Sequence, residues 1–113
     1  MNKIKIGISG CLGRMGRELV KETLRNSETE FAGGFENPSN DDLGKSIGKI
    51  LGVETDFILT ADPKKVFEKS QVVIDFSTPE SSQENLKIAS ELQIPLVIGT
   101  TGLGDKFRNL LNK

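Results

Sequence analysis

Three glycines near the start of the sequence are spaced so that they could hold a phosphate group. Gly10, Gly13 and Gly16 follow the pattern Gly-x-x-Gly-x-x-Gly. Glycine allows a sharp turn and lets a ligand come close to the backbone. A helix that begins at such a turn presents unpaired amide groups and a positive dipole end, which together bind anions. We therefore predict a phosphate-binding turn, and a turn that only connects two elements is the alternative.

A carboxylate follows this turn at the distance where dinucleotide-binding folds contact ribose. Glu36 stands about twenty residues after Gly16, at the end of the short apolar segment 31–35. A carboxylate in that place can accept hydrogen bonds from the ribose hydroxyls of NAD. The two features agree, so the sequence predicts a dinucleotide site. The alternative for Glu36 is an ordinary surface carboxylate.

The composition argues against several other kinds of chemistry. The 113 residues include no histidine, which is the commonest general acid–base side chain. The 15 basic and 16 acidic residues nearly balance, so we expect no nucleic-acid partner. We also expect no metal site. No apolar run is long enough to span a bilayer, so we expect no membrane partner and a cytoplasmic location.

Two residues of the glycine turn are predicted to have structural roles. Gly16 should allow close packing of the helix rather than contact the ligand. Cys11 is the only cysteine, so it forms no intrachain disulfide, as is typical of a reducing compartment. A helix amino terminus can lower the pKa of a thiol, which would make Cys11 reactive. We expect instead a small side chain packed behind the phosphate site.

The hydrophobic pattern alternates between strand and helix periods. Isoleucines at every second position before Gly10 predict a strand, and the apolar spacing after Gly16 predicts a helix. Asp62 followed by Pro63 is typical of a helix start. The elements predicted next are a strand at 30–35, a polar excursion at 36–56 with at most one short helical turn, a short strand at 57–60 and a helix at 63–68. They are followed by a buried strand at 71–76, a helix from Pro79, a buried strand at 95–98 and a helix at 105–113. The helix from Pro79 is predicted to have a buried stripe of Leu86, Ile88, Ala89 and Leu92.

This alternation predicts an α/β fold, a Rossmann-like doubly wound parallel sheet that forms a single domain over residues 1–113. Ligands of such sheets bind beyond the carboxyl ends of the strands. We therefore expect the binding chemistry to gather at those ends. The residues that leave them are Ser9, Gly10, Glu36, the segment 76–78 and the segment 99–102.

Three segments at these strand ends make the sequence similar to dihydrodipicolinate reductases, the NAD(P)H-dependent enzymes of the diaminopimelate and lysine pathway. They read Gly-Cys-Leu-Gly-Arg-Met-Gly at 10–16, Asp-Phe-Ser-Thr-Pro-Glu at 75–80 and Val-Ile-Gly-Thr-Thr-Gly at 97–102. The resemblance covers essentially the whole chain. It corresponds to the amino-terminal cofactor domain of that family alone.

The resemblance implies a set of cofactor contacts. Arg14 would lie on the adenosine side, and Met15 would contribute its backbone. Ser77 would donate from its backbone near the nicotinamide ribose. The segment from Gly99 to Thr101 would lie beside the nicotinamide amide, although its threonines could instead cap a following helix. The expected cofactor-binding residues are Gly10, Cys11, Leu12, Gly13, Arg14, Met15, Glu36, Phe76, Ser77, Gly99, Thr100 and Thr101.

Family members continue into a second domain with a His-His-x-x-Lys-x-Asp type motif, which supplies the proton donor and builds a tetramer. The resemblance therefore implies a complete homotetrameric enzyme that reduces a heterocyclic dicarboxylate by hydride transfer. No catalytic residue is expected in this chain, and Asp75 is interpreted as the polar end of a buried strand. We expect the chain to be an inactive, monomeric piece of a longer protein. A gene product that itself ends here is the alternative.

The residue after Glu36 bears on the choice of cofactor. NADP-preferring members of the family have an arginine there for the 2′-phosphate, whereas this sequence has Asn37. Glu36 would repel a phosphate and Arg14 could offset part of the repulsion, so we expect NADH preference or dual use. Two other functions stay open: the cofactor domain of another dehydrogenase, such as homoserine dehydrogenase, and a stand-alone nucleotide-sensing module.

Overall fold

The computed structural model describes residues 3–99 of the chain. Within that range the chain forms four strands and four helices. They are β1 (Ile4–Ser9), α1 (Arg14–Arg25), β2 (Thr29–Phe35), α2 (Ile47–Leu51), α3 (Pro63–Phe67), β3 (Val72–Asp75), α4 (Pro79–Leu92) and β4 (Leu96–Ile98). The predicted helix at 105–113 lies outside the described residues.

The four described strands are parallel and stand in the order β2-β1-β3-β4. β1 therefore lies between β2 and β3, and the direction in which strands are added reverses there. Two clusters of buried side chains cover the sheet. Val20 of α1 belongs to one cluster, whereas Val66 of α3 and Ala89 of α4 belong to the other. Helices pack on both faces, which confirms the predicted Rossmann-like doubly wound sheet.

A bulge in β2 changes the face that its last residues present. Neighbouring residues of β1 pair with Phe31 and with Gly33, so Ala32 is an extra residue in the strand. Gly33 has a φ of +125°, which a larger residue rarely adopts. Because side chains alternate between the faces of a sheet, one extra residue inverts the pattern beyond it. Phe31 and Phe35 accordingly belong to different core clusters.

The helices after β2 begin where the sequence predicts. Asp62 accepts a hydrogen bond from the first turn of α3, and Pro63 is the first residue of that helix. Thr78 caps α4 in the same way, by accepting from the amide of Ser81 at 3.2 Å. The polar excursion contains one short helix, α2, as predicted. None of the helices within residues 3–99 has the length and apolar character needed to span a bilayer.

Two elements differ from the prediction by more than a residue or two at their ends. α1 begins at Arg14 rather than after Gly16, because the turn closes early through a bond from the Gly13 amide to the Gly10 carbonyl at 3.1 Å. The segment 57–60 forms only isolated bridges, one of which joins it to the end of β2. The other bridge joins it to Ser46, and neither bridge extends into a ladder.

α4 and β4 bury less apolar surface than predicted. The inward face of α4 carries Ser82, Asn85 and Ala89, while Leu92 is 36% exposed. Among the described strands β4 pairs only with β3, which leaves Val97 54% exposed. The polar face of α4 covers the carboxyl end of the sheet, where buried polar atoms need hydrogen-bond partners.

Candidate functional site

The glycine turn is held together by contacts that only glycine permits. Gly10 leaves β1 with a φ of +75°, and a β-carbon there would lie 2.9 Å from the carbonyl oxygen of Phe76. A β-carbon on Gly16 would collide with the carbonyl oxygen of Gly10. Gly16 thus lets α1 pack closely on the turn, as predicted. Gly13 stays exposed between them, where its backbone is open to a ligand.

The amino terminus of α1 has no capping side chain. Its N-cap is Gly13, and its first turn contains no acidic residue. The first amides of a helix have no partner inside the helix, and the dipole adds a partial positive charge. Arg14 and Met15 are exposed at the same end. These groups fit an anion such as a pyrophosphate.

Glu36 lies directly beside this turn. Its Oε2 accepts a hydrogen bond from the backbone amide of Leu12 at 2.7 Å, and its own amide donates to the carbonyl of Thr60 at 3.0 Å. The bulge in β2 is what turns the Glu36 side chain to the face where the glycine turn lies. A carboxylate can accept several hydrogen bonds, so the bond from Leu12 leaves capacity for ribose hydroxyls.

Cys11 is a packing residue of the turn. Its side chain is fully buried, and its Sγ lies 2.6 Å from the place of a β-carbon on Gly34. Burial, together with the smaller effect of the nearby Glu36 charge, raises the pKa of the Cys11 thiol to about 12. The thiol therefore stays protonated near neutral pH. The predicted small buried side chain is confirmed, and nothing about the site favours the alternative of a reactive thiol.

The carboxyl end of β3 carries a buried hydrogen-bond network. Oδ1 of Asp75 accepts from the amide of Ser77 at 2.8 Å and from the hydroxyl of the same residue. Oδ2 of Asp75 accepts from the side-chain amide of Asn85 at 3.1 Å. That amide also donates to the hydroxyl of Ser9 at 2.9 Å. The network joins the ends of β1 and β3 to α4.

These features surround one cleft of about 440 Å³ at the carboxyl ends of β1, β2 and β3. Gly99 packs against the ring of Phe76 at the end of β4. Thr100 and Thr101 lie outside the described residues. The predicted binding residues that line the cleft are Gly10, Gly13, Glu36, Phe76 and Ser77. Those that belong to the same turn without lining the cleft are Cys11, Leu12, Arg14 and Met15.

Sequence reasoning named Ser9 at the end of the first strand, but it missed a second buried polar residue of this cleft, Asn85. Asn85 and Ser9 both line it, and both are buried. The available signal was the polar pair Ser82 and Asn85, three residues apart on a helix that was expected to have an apolar stripe. Polar residues on the inward face of a helix need buried partners, so their spacing could have indicated a network.

A larger cavity of about 700 Å³ lies beside β2 and contains none of the predicted binding residues. Its charged side chains are Asp56, Lys65 and Lys69, and the ammonium of Lys69 lies 5.8 Å from the centre of the Phe57 ring. The residues from 3 to 99 contain no group of three histidine, cysteine or acidic side chains that could hold a metal ion. The smaller cleft is the candidate site, because it lies at the strand ends and contains the glycine turn.

The family model "Dihydrodipicolinate reductase, N-terminus" matches residues 4–113. Among curated relatives, the 4-hydroxy-tetrahydrodipicolinate reductase of Anaplasma marginale (strain St. Maries) is 44% identical over 103 residues. That of Wolbachia pipientis subsp. Culex pipiens (strain wPip) is 42% identical over 103 residues. The alignments cover 91% and 89% of this chain but only 40% and 39% of the relatives. The chain thus spans about 40% of the length of the curated relatives it matches.

Solved structures resemble the fold. Dipicolinate-bound dihydrodipicolinate reductase from Paenisporosarcina sp. TG-14 has a TM-score of 0.72 at 22% identity, over 96% of this chain and 42% of that one. Aspartate semialdehyde dehydrogenase with NADP from Candida albicans also has a TM-score of 0.72, at 16% identity, over 88% of this chain and 30% of that one. At these identities the likeness shows the fold alone.

Proposed function

The chain belongs to the dihydrodipicolinate reductase family, and we propose that residues 1–113 are the single cofactor domain of such a reductase, which binds NADH or NADPH. The observation that carries the proposal is the hydrogen bond between the Leu12 amide and Glu36 at 2.7 Å. It holds a ribose-binding carboxylate beside an uncapped helix end, at the rim of one cleft. A phosphate site and a ribose site are thereby adjacent, as a dinucleotide requires.

Each part of the dinucleotide has a complementary group in this arrangement. The exposed backbone of Gly13 and the first amides of α1 suit the pyrophosphate, with the Arg14 guanidinium on the adenosine side. Glu36 suits the hydroxyls of the adenosine ribose. The β3 end at Phe76 and Ser77 forms the wall expected beside the nicotinamide ribose. The remaining expected contacts with the nicotinamide amide come from Gly99, Thr100 and Thr101.

The reaction of the complete protein is part of the proposal. The curated relatives are reductases, and the chain corresponds to about 40% of their length. Reduced nicotinamide supplies a hydride, which the complete enzyme would transfer to a heterocyclic dicarboxylate. The described part of this chain orients the cofactor, while the proton donor, the substrate contacts and the tetramer interface would come from outside residues 1–113. We place the enzyme in the cytoplasm, since Cys11, the one cysteine of these 113 residues, is a free buried thiol.

NADH is the preferred cofactor in this proposal. The side-chain oxygen of Asn37 accepts from the amide of Ser39 at 2.9 Å, so the residue after Glu36 serves a local turn and brings no cation. The bond from Leu12 holds the Glu36 carboxylate in place, so it cannot easily swing away from a 2′-phosphate. Like charges at short range repel, which disfavours NADPH. Arg14, exposed at the first residue of α1, is the candidate to offset that repulsion.

Titration calorimetry of the chain with NADH tests the proposal. We expect saturable binding at one site per chain, and binding of NADPH that is weaker. A reductase assay with the same preparation should show no turnover, because proton donation requires groups outside the chain. Absence of binding to either dinucleotide would refute the cofactor role. Substantial turnover would refute the proposal that the proton donor and the substrate contacts come from outside residues 1–113.

A further inference from the structure

We propose that Asn85 and Asp75 are positioning residues that hold the floor of the dinucleotide cleft in its binding shape. The inference rests on the proposed dinucleotide site and adds to it two residues that need not touch the cofactor. Asn85 lines the cleft and is only 1% exposed. Asp75 lies behind the lining and is 0% exposed. Their side chains meet at 3.1 Å.

The network joins α4 to the ends of β1 and β3, which already pair with each other in the sheet. The amide nitrogen of Asn85 donates both to Asp75 and to the hydroxyl of Ser9, 76 positions earlier in the chain. Ser9 is the last residue of β1 and immediately precedes the glycine turn. The position of α4 and the start of the phosphate-binding turn are therefore coupled through one side chain.

Asp75 fixes the other wall of the cleft. Its Oδ1 accepts from both the amide and the hydroxyl of Ser77, so the turn between β3 and α4 is tied back to the strand. Both Ser77 donors thus face the carboxylate. The neighbouring Phe76 carbonyl lies close enough to Gly10 to exclude a β-carbon there, so a shift of this turn would move the glycine turn as well.

Burying the polar side chains of Ser9, Asp75 and Asn85 costs free energy unless each of them is hydrogen-bonded. Apolar side chains could fill the same space without that cost. Hydrogen bonds differ from apolar packing because they specify distance and direction, so a satisfied network selects one arrangement of the elements it joins. A ligand that binds a preformed site loses less free energy to ordering than one that must organise it. We therefore expect loss of the network to weaken dinucleotide binding beyond its effect on folding.

The test compares NADH binding by four variants of the chain, each measured well below its unfolding midpoint. Asn85→Leu conserves volume and removes both donated bonds, and it should raise the Kd for NADH roughly tenfold or more. Ser70→Ala is the control, because Ser70 is also a buried polar residue, with its hydroxyl donating to the carbonyl of Val66 at 2.6 Å, and it does not line the cleft. It should lower the unfolding midpoint while leaving the Kd within about twofold of the wild-type value.

A reciprocal exchange shows whether the hydrogen bonds themselves matter. Asn85→Asp sets a second carboxylate against Asp75, and the like charges should weaken NADH binding. Adding Asp75→Asn restores a donor facing an acceptor and the original net charge, while the new amide oxygen can still accept from Ser77. The double variant should therefore recover a Kd within about threefold of wild type. Asn85→Asp and the double variant also test the positioning role if Asn85→Leu does not fold.

The outcomes distinguish failure of the proposed dinucleotide binding from failure of the positioning role of Asn85 and Asp75. If the wild type binds no dinucleotide, the proposed function fails and this inference fails with it. If the wild type binds but the Asn85 variants that fold match Ser70→Ala in Kd, the network only supports folding and the positioning role is refuted. If Asn85→Asp weakens binding and Asp75→Asn does not rescue it, the effect is a local change at position 85 and the paired role is refuted.

Discussion

The backbone amide of Leu12 donates to Oε2 of Glu36 at 2.7 Å, although 24 positions separate the two residues. The contact joins the turn after β1 to the end of β2. The position of the carboxylate and the conformation of the glycine turn are therefore coupled. A substitution of Glu36 would remove the proposed ribose ligand and would also release one bond that holds the turn.

Glu36→Ala should weaken NADH binding by about 1.5–3 kcal/mol, because a charge-assisted contact to the ribose is lost. Glu36→Gln should have a smaller effect, since an amide oxygen can still accept from the Leu12 amide. Glu30→Ala is the matched control, because Glu30 is an exposed glutamate of β2, which ends immediately before Glu36. Titration calorimetry measures all three. An unchanged Kd in Glu36→Ala would mean that Glu36 is a surface carboxylate.

Asn37→Arg should tighten NADPH binding more than NADH binding. The planar guanidinium can pair with the 2′-phosphate and offset the repulsion from Glu36. The gain should shrink as salt is added, because an exposed ion pair is screened. Gln83→Arg adds the same charge at an exposed position of α4 that does not line the cleft, and it should change neither affinity. A wild type that already prefers NADPH strongly would contradict this account of the pocket's charge.

Gly16→Ala should destabilise the fold and impair binding together. The added β-carbon would collide with the Gly10 carbonyl, so α1 must move away from the turn. Overpacking of this kind costs about 1–3 kcal/mol in the free energy of unfolding. Urea denaturation measures that loss, with Glu18→Ala, an exposed position of the same helix, as control. Wild-type stability in Gly16→Ala would show that the helix does not pack on the turn as described.

The Cys11 thiol should make stability fall at alkaline pH. The pKa in the folded chain, about 12, lies above the ordinary value of 9.0. The protonated thiol therefore contributes to the free energy of unfolding in full below pH 9.0, and this contribution is lost as the pH rises towards about 12. Urea denaturation at several pH values should show a steeper alkaline decline for wild type than for Cys11→Ala. Equal pH dependence of the two proteins would place the thiol in a less buried environment.

Local patterns in the sequence were enough to predict the parts that depend on neighbouring residues. The turn containing Gly10 is defined by glycine spacing and by the change from strand to helix period on either side of it. Asp62 and Pro63 cap and start α3 through contacts within one turn of helix. The alternation of such elements restricts the chain to a parallel sheet with helices on both faces, because right-handed crossovers leave few other arrangements.

The same patterns could not predict what depends on residues far apart in the chain. The segment 57–60 has strand-like composition, but strand formation needs a partner along its length, and only isolated bridges form. The apolar stripe expected on α4 is only partly present, with Ala89 buried and Leu92 exposed, for a related reason. Asn85 is buried because Asp75 and Ser9 supply its partners, and those partners lie on two different strands.

The sequence by itself determined that a glycine turn and an acidic residue stand at the ends of the first two strands. Only the tertiary structure decided that they meet. The extra residue in β2, Ala32 beside Gly33, reverses the faces of the strand and turns Glu36 towards Leu12. A bulge is defined by the register between two strands, and hydrophobic periodicity within one strand carries no information about that register.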